Sequence, residues 1–160
     1  MVDDDEIASE VYSAIAATLA QDAPEGRQLA GYALLTDDAL ETLSYATIWR
    51  RDGEQVVPDL LFSPVDWCVD LDDAPFRSAA AMLRRGLAKH PLSEHVVLSF
   101  HALVSAAKRA RETHFGPEVF VCVASTDPSE QLEALADRAI ELLNPPALVE
   151  RHQAWVRSWA

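Results

Sequence analysis

The chain has 160 residues, 49% of them hydrophobic and 8% aromatic, with a formal net charge of −13. That length fits one domain, residues 1–160, able to bury roughly 70% of its unfolded surface, and the composition excludes a disordered chain. The acid is unevenly placed: residues 1–75 hold 17 Asp/Glu against 3 Arg/Lys, and residues 76–115 hold 2 against 7. A surface of this kind attracts cationic partners and repels nucleic acid.

The start, Met1-Val2-Asp3-Asp4-Asp5-Glu6, is the reverse of a basic export signal, and no apolar run is long enough for a bilayer. The expected location is the cytoplasm, with no membrane contact. Cys68 and Cys122 then read as free thiols of a reducing compartment.

Ile7, Val11, Ala14, Ile15, Thr18 and Leu19 recur at helical steps and predict a helix over 4–21. The acids at its start suit the positive end of the helix dipole. Pro24 and Gly26 end it. Gly31–Thr36 and Thr42–Trp49 predict a β-hairpin, with Leu43, Tyr45, Thr47 and Trp49 on one face. A further short strand is expected near Gln55-Val56-Val57.

Phe62-Ser63-Pro64-Val65-Asp66-Trp67 has Ser63 placed to cap, Pro64 at the first helical position and Asp66 at the third. It predicts a short helix over 64–70, with Phe62 packing on Trp67. A second helix opened by Pro75 carries Phe76, Ala79 or Ala80, Leu83 and Leu87, and stops near His90-Pro91. A long helix over 94–113, capped by Ser93, presents Val96, Val97, Phe100, Leu103, Val104 and Ala107. Lys108, Arg109 and Arg111 complement its C-terminal dipole.

Glu118–Ala124 is apolar at consecutive positions, the pattern of a strand covered on both faces and so central in its sheet. Asp127 is expected to cap a helix over 128–143 bearing Leu132, Leu135, Ala136, Ala139, Leu142 and Leu143 on one side. Asn144-Pro145-Pro146 breaks it. A short C-terminal helix at about 147–159 spaces Leu148, His152, Trp155 and Trp159 at helical intervals. Strands and helices do not alternate, so the fold class is α+β: a small, mainly antiparallel sheet, hairpin plus late central strand, covered by several helices.

No reactive constellation stands out. His90, His95, His101, His114 and His152 lack the spacing of a metal grip, and a surface or helix-terminal position is the default for each. There is no Gly-x-Ser-x-Gly, no Cys-x-x-Cys and no glycine cradle for phosphate, so no catalytic residue, metal or cofactor is expected. Asp66 and Asp70 stand four apart, followed by Asp72 and Asp73. They read either as a solvated face with a dipole partner for the next helix or as an acidic docking surface for a basic protein.

Gly31-Tyr32-Ala33-Leu34-Leu35-Thr36-Asp37-Asp38 resembles a strand-turn phrase of the bacterial domain-of-unknown-function family 4303. Phe62–Trp67 resembles that family's Ser-Pro-x-acid-Trp segment. Glu118-Val119-Phe120-Val121 with Ser125-Thr126-Asp127 resembles its late strand and following cap. The resemblance runs from the first helix to about Asn144. It implies a small cytosolic bacterial protein without an assigned activity, and it offers no catalytic positions to carry over. Some acidic α+β families of this kind serve as immunity proteins against polymorphic toxins.

Three functions remain open on the sequence. The first is a non-enzymatic binding protein, immunity-type, using Asp66, Asp70, Asp72 and Asp73 against a basic partner. The second is a small-molecule or enzymatic domain with a pocket between the hairpin face (Tyr45, Trp49) and a helix. The third is a homo-oligomer that buries Trp155 and Trp159 across a two-fold axis.

Overall fold

Six helices and three strands make up the computed structural model, which describes residues 4–67 and 72–160. In chain order they are α1 Asp4–Asp22, β1 Arg27–Thr36, β2 Leu43–Arg51, α2 Pro58–Leu61, α3 Arg77–Leu87, α4 Leu92–His114, β3 Phe120–Ser125, α5 Glu130–Leu143 and α6 Pro146–Ser158. The class is α+β, with helices packed on a small mixed sheet.

The sheet order is β2-β1-β3. β1 pairs antiparallel with β2 and parallel with β3. The late strand is therefore an edge and β1 is the centre, which corrects the expectation for 118–124. The consecutive apolar run did report covering on both faces. Val121 and Val123 enter one core layer, and Phe120 and Cys122 enter the other. A run of that kind records the layers above and below a strand and carries no information about its lateral neighbours.

The outer edge of β3 is closed by a side chain. Asn144 Oδ1 accepts from Val121 N–H at 2.9 Å, and its Nδ2 donates to Val121 C=O at 2.7 Å and to Ile140 C=O at 3.0 Å. One carboxamide thus reproduces the bond pair a fourth strand would supply, which blunts an edge otherwise open to pairing. Arg111, from the end of α4, donates to Gly116 C=O, Val119 C=O and Asn144 Oδ1. Burial lowers the pKa of its guanidinium, and the Glu118 carboxylate opposes that shift.

The larger core layer lies between the sheet and α1, α3, α4 and α5. Ile7, Val11, Tyr32, Leu34, Tyr45, Phe76, Leu83, Phe100 and Leu103 are all buried there. Within it Tyr32 stacks on Tyr45 at 5.7 Å between centroids. The Thr18 hydroxyl donates to Ile15 C=O and so accepts from Tyr32 Oη at 2.7 Å. The smaller layer, on the opposite face, holds Ala33, Leu35, Ala46, Leu61, Phe62, Trp67, Phe120, Cys122 and Ile140.

Local details differ from the sequence expectations. Residues Gln55–Val57 form no strand and lead into α2. Pro64–Asp66 is one 3-10 turn without a side-chain cap from Ser63, and the rest of the expected 64–70 helix beyond Trp67 lies outside the described residues. Phe62 and Trp67 share Phe120 as their aromatic neighbour. The long helix begins at Leu92 after Pro91, so Ser93 is inside it and does not cap. Ser129, in place of Asp127, caps α5 by accepting from Leu132 N–H. On α5, Ile140 is buried and Leu142 faces outward.

Cys122 is fully enclosed, and burial pushes its thiol up to about 12. The reactive thiolate is then scarce at neutral pH. In a Cys68→Ser variant, a thiol-specific reagent at pH 8 should leave the folded protein unlabelled and label it only after denaturant is added. Rapid labelling under native conditions would contradict this packing.

Candidate functional site: an acidic crossover and an aromatic helix end

Between Arg51 and Arg77 the chain carries seven carboxylates and no basic residue. This stretch is the crossover from β2 to α3. Its described first part, as far as Trp67, passes over the sheet face that α6 also covers, anchored from beneath by buried Leu61, Phe62 and Trp67, whereas Asp73 lies beside Phe76, which belongs to the other core layer. Trp67 Nε1–H donates to Leu60 C=O at 2.7 Å, which folds the segment back on itself.

α6 completes this face. Trp155 packs on Phe62 at 5.7 Å and donates its indole N–H to Asp59 Oδ1 at 2.9 Å, tying α6 to α2. His152 stacks on Phe120 at 5.9 Å. Burial lowers its pKa, against the pull of Asp137. Trp159 meets Trp155 edge-on and is 69% exposed. Among the described residues seven large apolar side chains are exposed, and five of them belong to these two touching segments: Val57, Leu60, Val65, Val156 and Trp159. Exposed apolar groups bordered by charge mark interaction surfaces more often than catalytic ones.

The residues singled out by sequence separate accordingly. Asp66, Asp72 and Asp73 are exposed on the crossover, and Asp70 and Cys68 lie outside the described residues. Asp72 Oδ1 accepts from Ala74 N–H at 3.0 Å, a local turn bond. Trp155 and Trp159 are brought beside the crossover, whereas Tyr45 is not. It is 1% exposed, enclosed by Tyr32 and Phe76, so the expected pocket at Tyr45 and Trp49 is filled by core packing. Trp49 is half-buried on the same face and donates its indole N–H to Thr47 Oγ1 at 3.0 Å.

One histidine departs from its surface default. His95 is buried, and its Nε2 can only donate to Leu40 C=O, at 3.2 Å. In the neutral ring Nδ1 is then the acceptor, and the Ser99 hydroxyl at 3.2 Å donates to it. Leu40 holds its carbonyl there with a positive φ of 52°. This Ser–His pair is unsuited to nucleophilic catalysis, because Ser99 is itself buried and the adjoining cavity of about 30 Å³ admits no more than a water. The pair secures α4 to the hairpin turn. Gly86 makes room for it, since a Cβ there would stand 3.2 Å from His95 Nδ1.

No group of three or more metal-ligating side chains occurs among the described residues, and no helix among them is long and apolar enough to cross a membrane. Comparison of the chain with protein-family models, curated proteins and solved structures returns no match.

Proposed function

We propose that this chain is a non-enzymatic binding protein of the bacterial cytoplasm, an immunity-type inhibitor that takes a basic protein partner on the crossover and the end of α6. The observation that carries the reading is the coincidence of an all-acidic segment with exposed Val57, Leu60, Val65 and Trp159. Carboxylates speed the encounter with a basic protein, and aromatic anchors slow its departure. A toxin that cuts nucleic acid is itself basic, which suits such a surface. Kinship with family 4303 belongs to the same proposal. Two of the three phrases that suggest it meet in space, because Gly31 packs against the Trp67 indole.

Capture from native lysate at low salt, followed by association kinetics with the purified partner, tests this. The partner should be basic. Its association rate should fall about tenfold or more between about 0.05 and about 0.5 M salt, and again in an Asp66→Lys/Asp73→Lys variant. A rate indifferent to both would remove electrostatic capture. Asp59 is left intact in that variant because it holds Trp155. Self-association through Trp159 is separated by light scattering on wild type and Trp159→Ala. Truncation after Pro146 is unsuitable, because it also strips buried Leu148 and the Trp155 contact from the core.

A further inference from the structure

The sheet face opposite Tyr45 carries a second feature, independent of the acidic crossover carboxylates. A cleft of about 420 Å³ opens among β1, β2, the crossover, α2, the residues before β3, and α6. That volume lies within the usual range for small-molecule sites, about 300–1,000 Å³. Ala30, Val56 and Leu61 supply its apolar lining, and Arg50, Gln55, Glu118 and Arg151 its polar groups.

The sequence and the register together bring these groups to one place. Residues 1–75 hold only three basic side chains, and Arg50 is one of them. The β1 register shifts between Leu29 and Gly31, which sets Ala30 at the cleft. Strand alternation turns Arg50 to the side opposite Trp49. Arg50 donates one N–H to Glu54 C=O at 3.1 Å. Arg50 and Arg151, like the other Arg and Lys side chains among the described residues, have no carboxylate within ion-pair distance, in a chain with twice as many acids as bases. Two guanidiniums left without carboxylate partners suit a carboxylate ligand. A purely anionic ligand gains nothing from Glu118 at the same cleft. A zwitterion uses all three charges, and Val56 with Leu61 meets an aliphatic body.

We propose that this cleft binds a free α-amino acid with an aliphatic side chain, its carboxylate on Arg50 and Arg151, its ammonium on Glu118, and its side chain over Val56 and Leu61.

The test is an amide NMR titration of the full chain with leucine, isoleucine and valine, set beside 4-methylpentanoate, which lacks the ammonium, leucinamide, which lacks the carboxylate, and inorganic phosphate. At least one amino acid should give saturable shifts at Arg50, Val56 and Leu61. Removing either charged group from leucine should weaken binding about tenfold or more. Arg50→Gln and Arg151→Gln should each weaken amino-acid binding by a similar factor. Both side chains reach solvent, so these variants keep the fold, which circular dichroism verifies. Glu118→Gln should weaken the amino acid and leave 4-methylpentanoate unchanged. The proposal is overturned by no saturable shift from any of the three amino acids, by phosphate or 4-methylpentanoate binding as well as leucine, or by arginine variants that bind like wild type.

Discussion

Asn144→Ala should destabilise the protein by about 3 kcal/mol, with a fall in melting temperature of about 6–12 °C. The carboxamide is buried and makes three bonds to main chain: two to Val121 on the outer edge of β3 and one to Ile140 C=O at the end of α5. It also accepts from Arg111. Alanine leaves the Val121 N–H and C=O without that partner, while the Ile140 C=O keeps the main-chain N–H of residue 144 at 3.2 Å, and each orphaned group costs about 1–3 kcal/mol. Partial rescue by solvent at the strand edge keeps the sum near the lower end. Asn144→Asp is the informative companion. It retains the acceptor for Val121 N–H and for Arg111, and loses both donated bonds. It should fall between wild type and alanine near neutral pH, where the Arg111 guanidinium offsets part of the cost of a buried carboxylate. Urea denaturation with a shared m-value measures the series, and an alanine variant within about 0.5 kcal/mol of wild type would show that β3 does not depend on this bond pair.

The same asparagine explains why part of the fold was hidden in the sequence. Periodicity located α1, α4 and α5, because a helix face needs only apolar groups at three- and four-residue steps. Alternation located the hairpin, and the unbroken run at 120–123 reported two covered faces. The identity of the strand's lateral neighbour has no period. Asn144 in an Asn-Pro-Pro phrase reads as a helix breaker, and its second role depends on where α5 ends relative to β3. Caps were misread for a related reason. Ser63, Ser93 and Asp127 all have the right composition, yet only Ser129 makes its bond, since capping is decided by where the backbone leaves the helix and not by the residue alone.

The candidate surfaces were legible in unequal degree. Charge counting pointed to the acidic crossover, and the helical spacing of Trp155 and Trp159 pointed to α6, but their adjacency arises from Phe62 and Asp59 reaching across to Trp155. The arginine cleft was invisible, because its polar groups come from residues 50, 55, 118 and 151, brought together only by the fold. A usable hint was present: Arg50 is one of only three basic residues among the first 75. His95 was missed because a histidine on a helix reads as solvated until Leu40 C=O and Ser99 are seen to occupy both ring nitrogens.

The approach of β1 to the Trp67 indole gives the second large effect. A Cβ built on Gly31 would overlap Cη2 of Trp67 and stand 2.9 Å from Ile48 Cγ2. Neither neighbour can retreat freely. Trp67 is wedged against Phe120 and held by its N–H on Leu60, and Ile48 belongs to the paired strand. Gly31→Ala should therefore cost about 2–3 kcal/mol through overpacking alone. Trp67→Phe removes the outer indole ring and the bond to Leu60, and should cost about 2–3 kcal/mol as a cavity and a lost hydrogen bond, the Leu60 C=O keeping the Ser63 N–H at 3.2 Å. The two penalties oppose each other in space: the methyl added at residue 31 enters the volume that the smaller ring vacates. The double variant should be less destabilised than the sum of the singles by about 1–2 kcal/mol, while the lost Leu60 bond, present in both Trp67→Phe backgrounds, cancels from the cycle. Additivity within about 0.3 kcal/mol would mean that the cost at Gly31 comes from Ile48 and the strand backbone, and that Trp67 does not set the distance at which the crossover rides over the sheet.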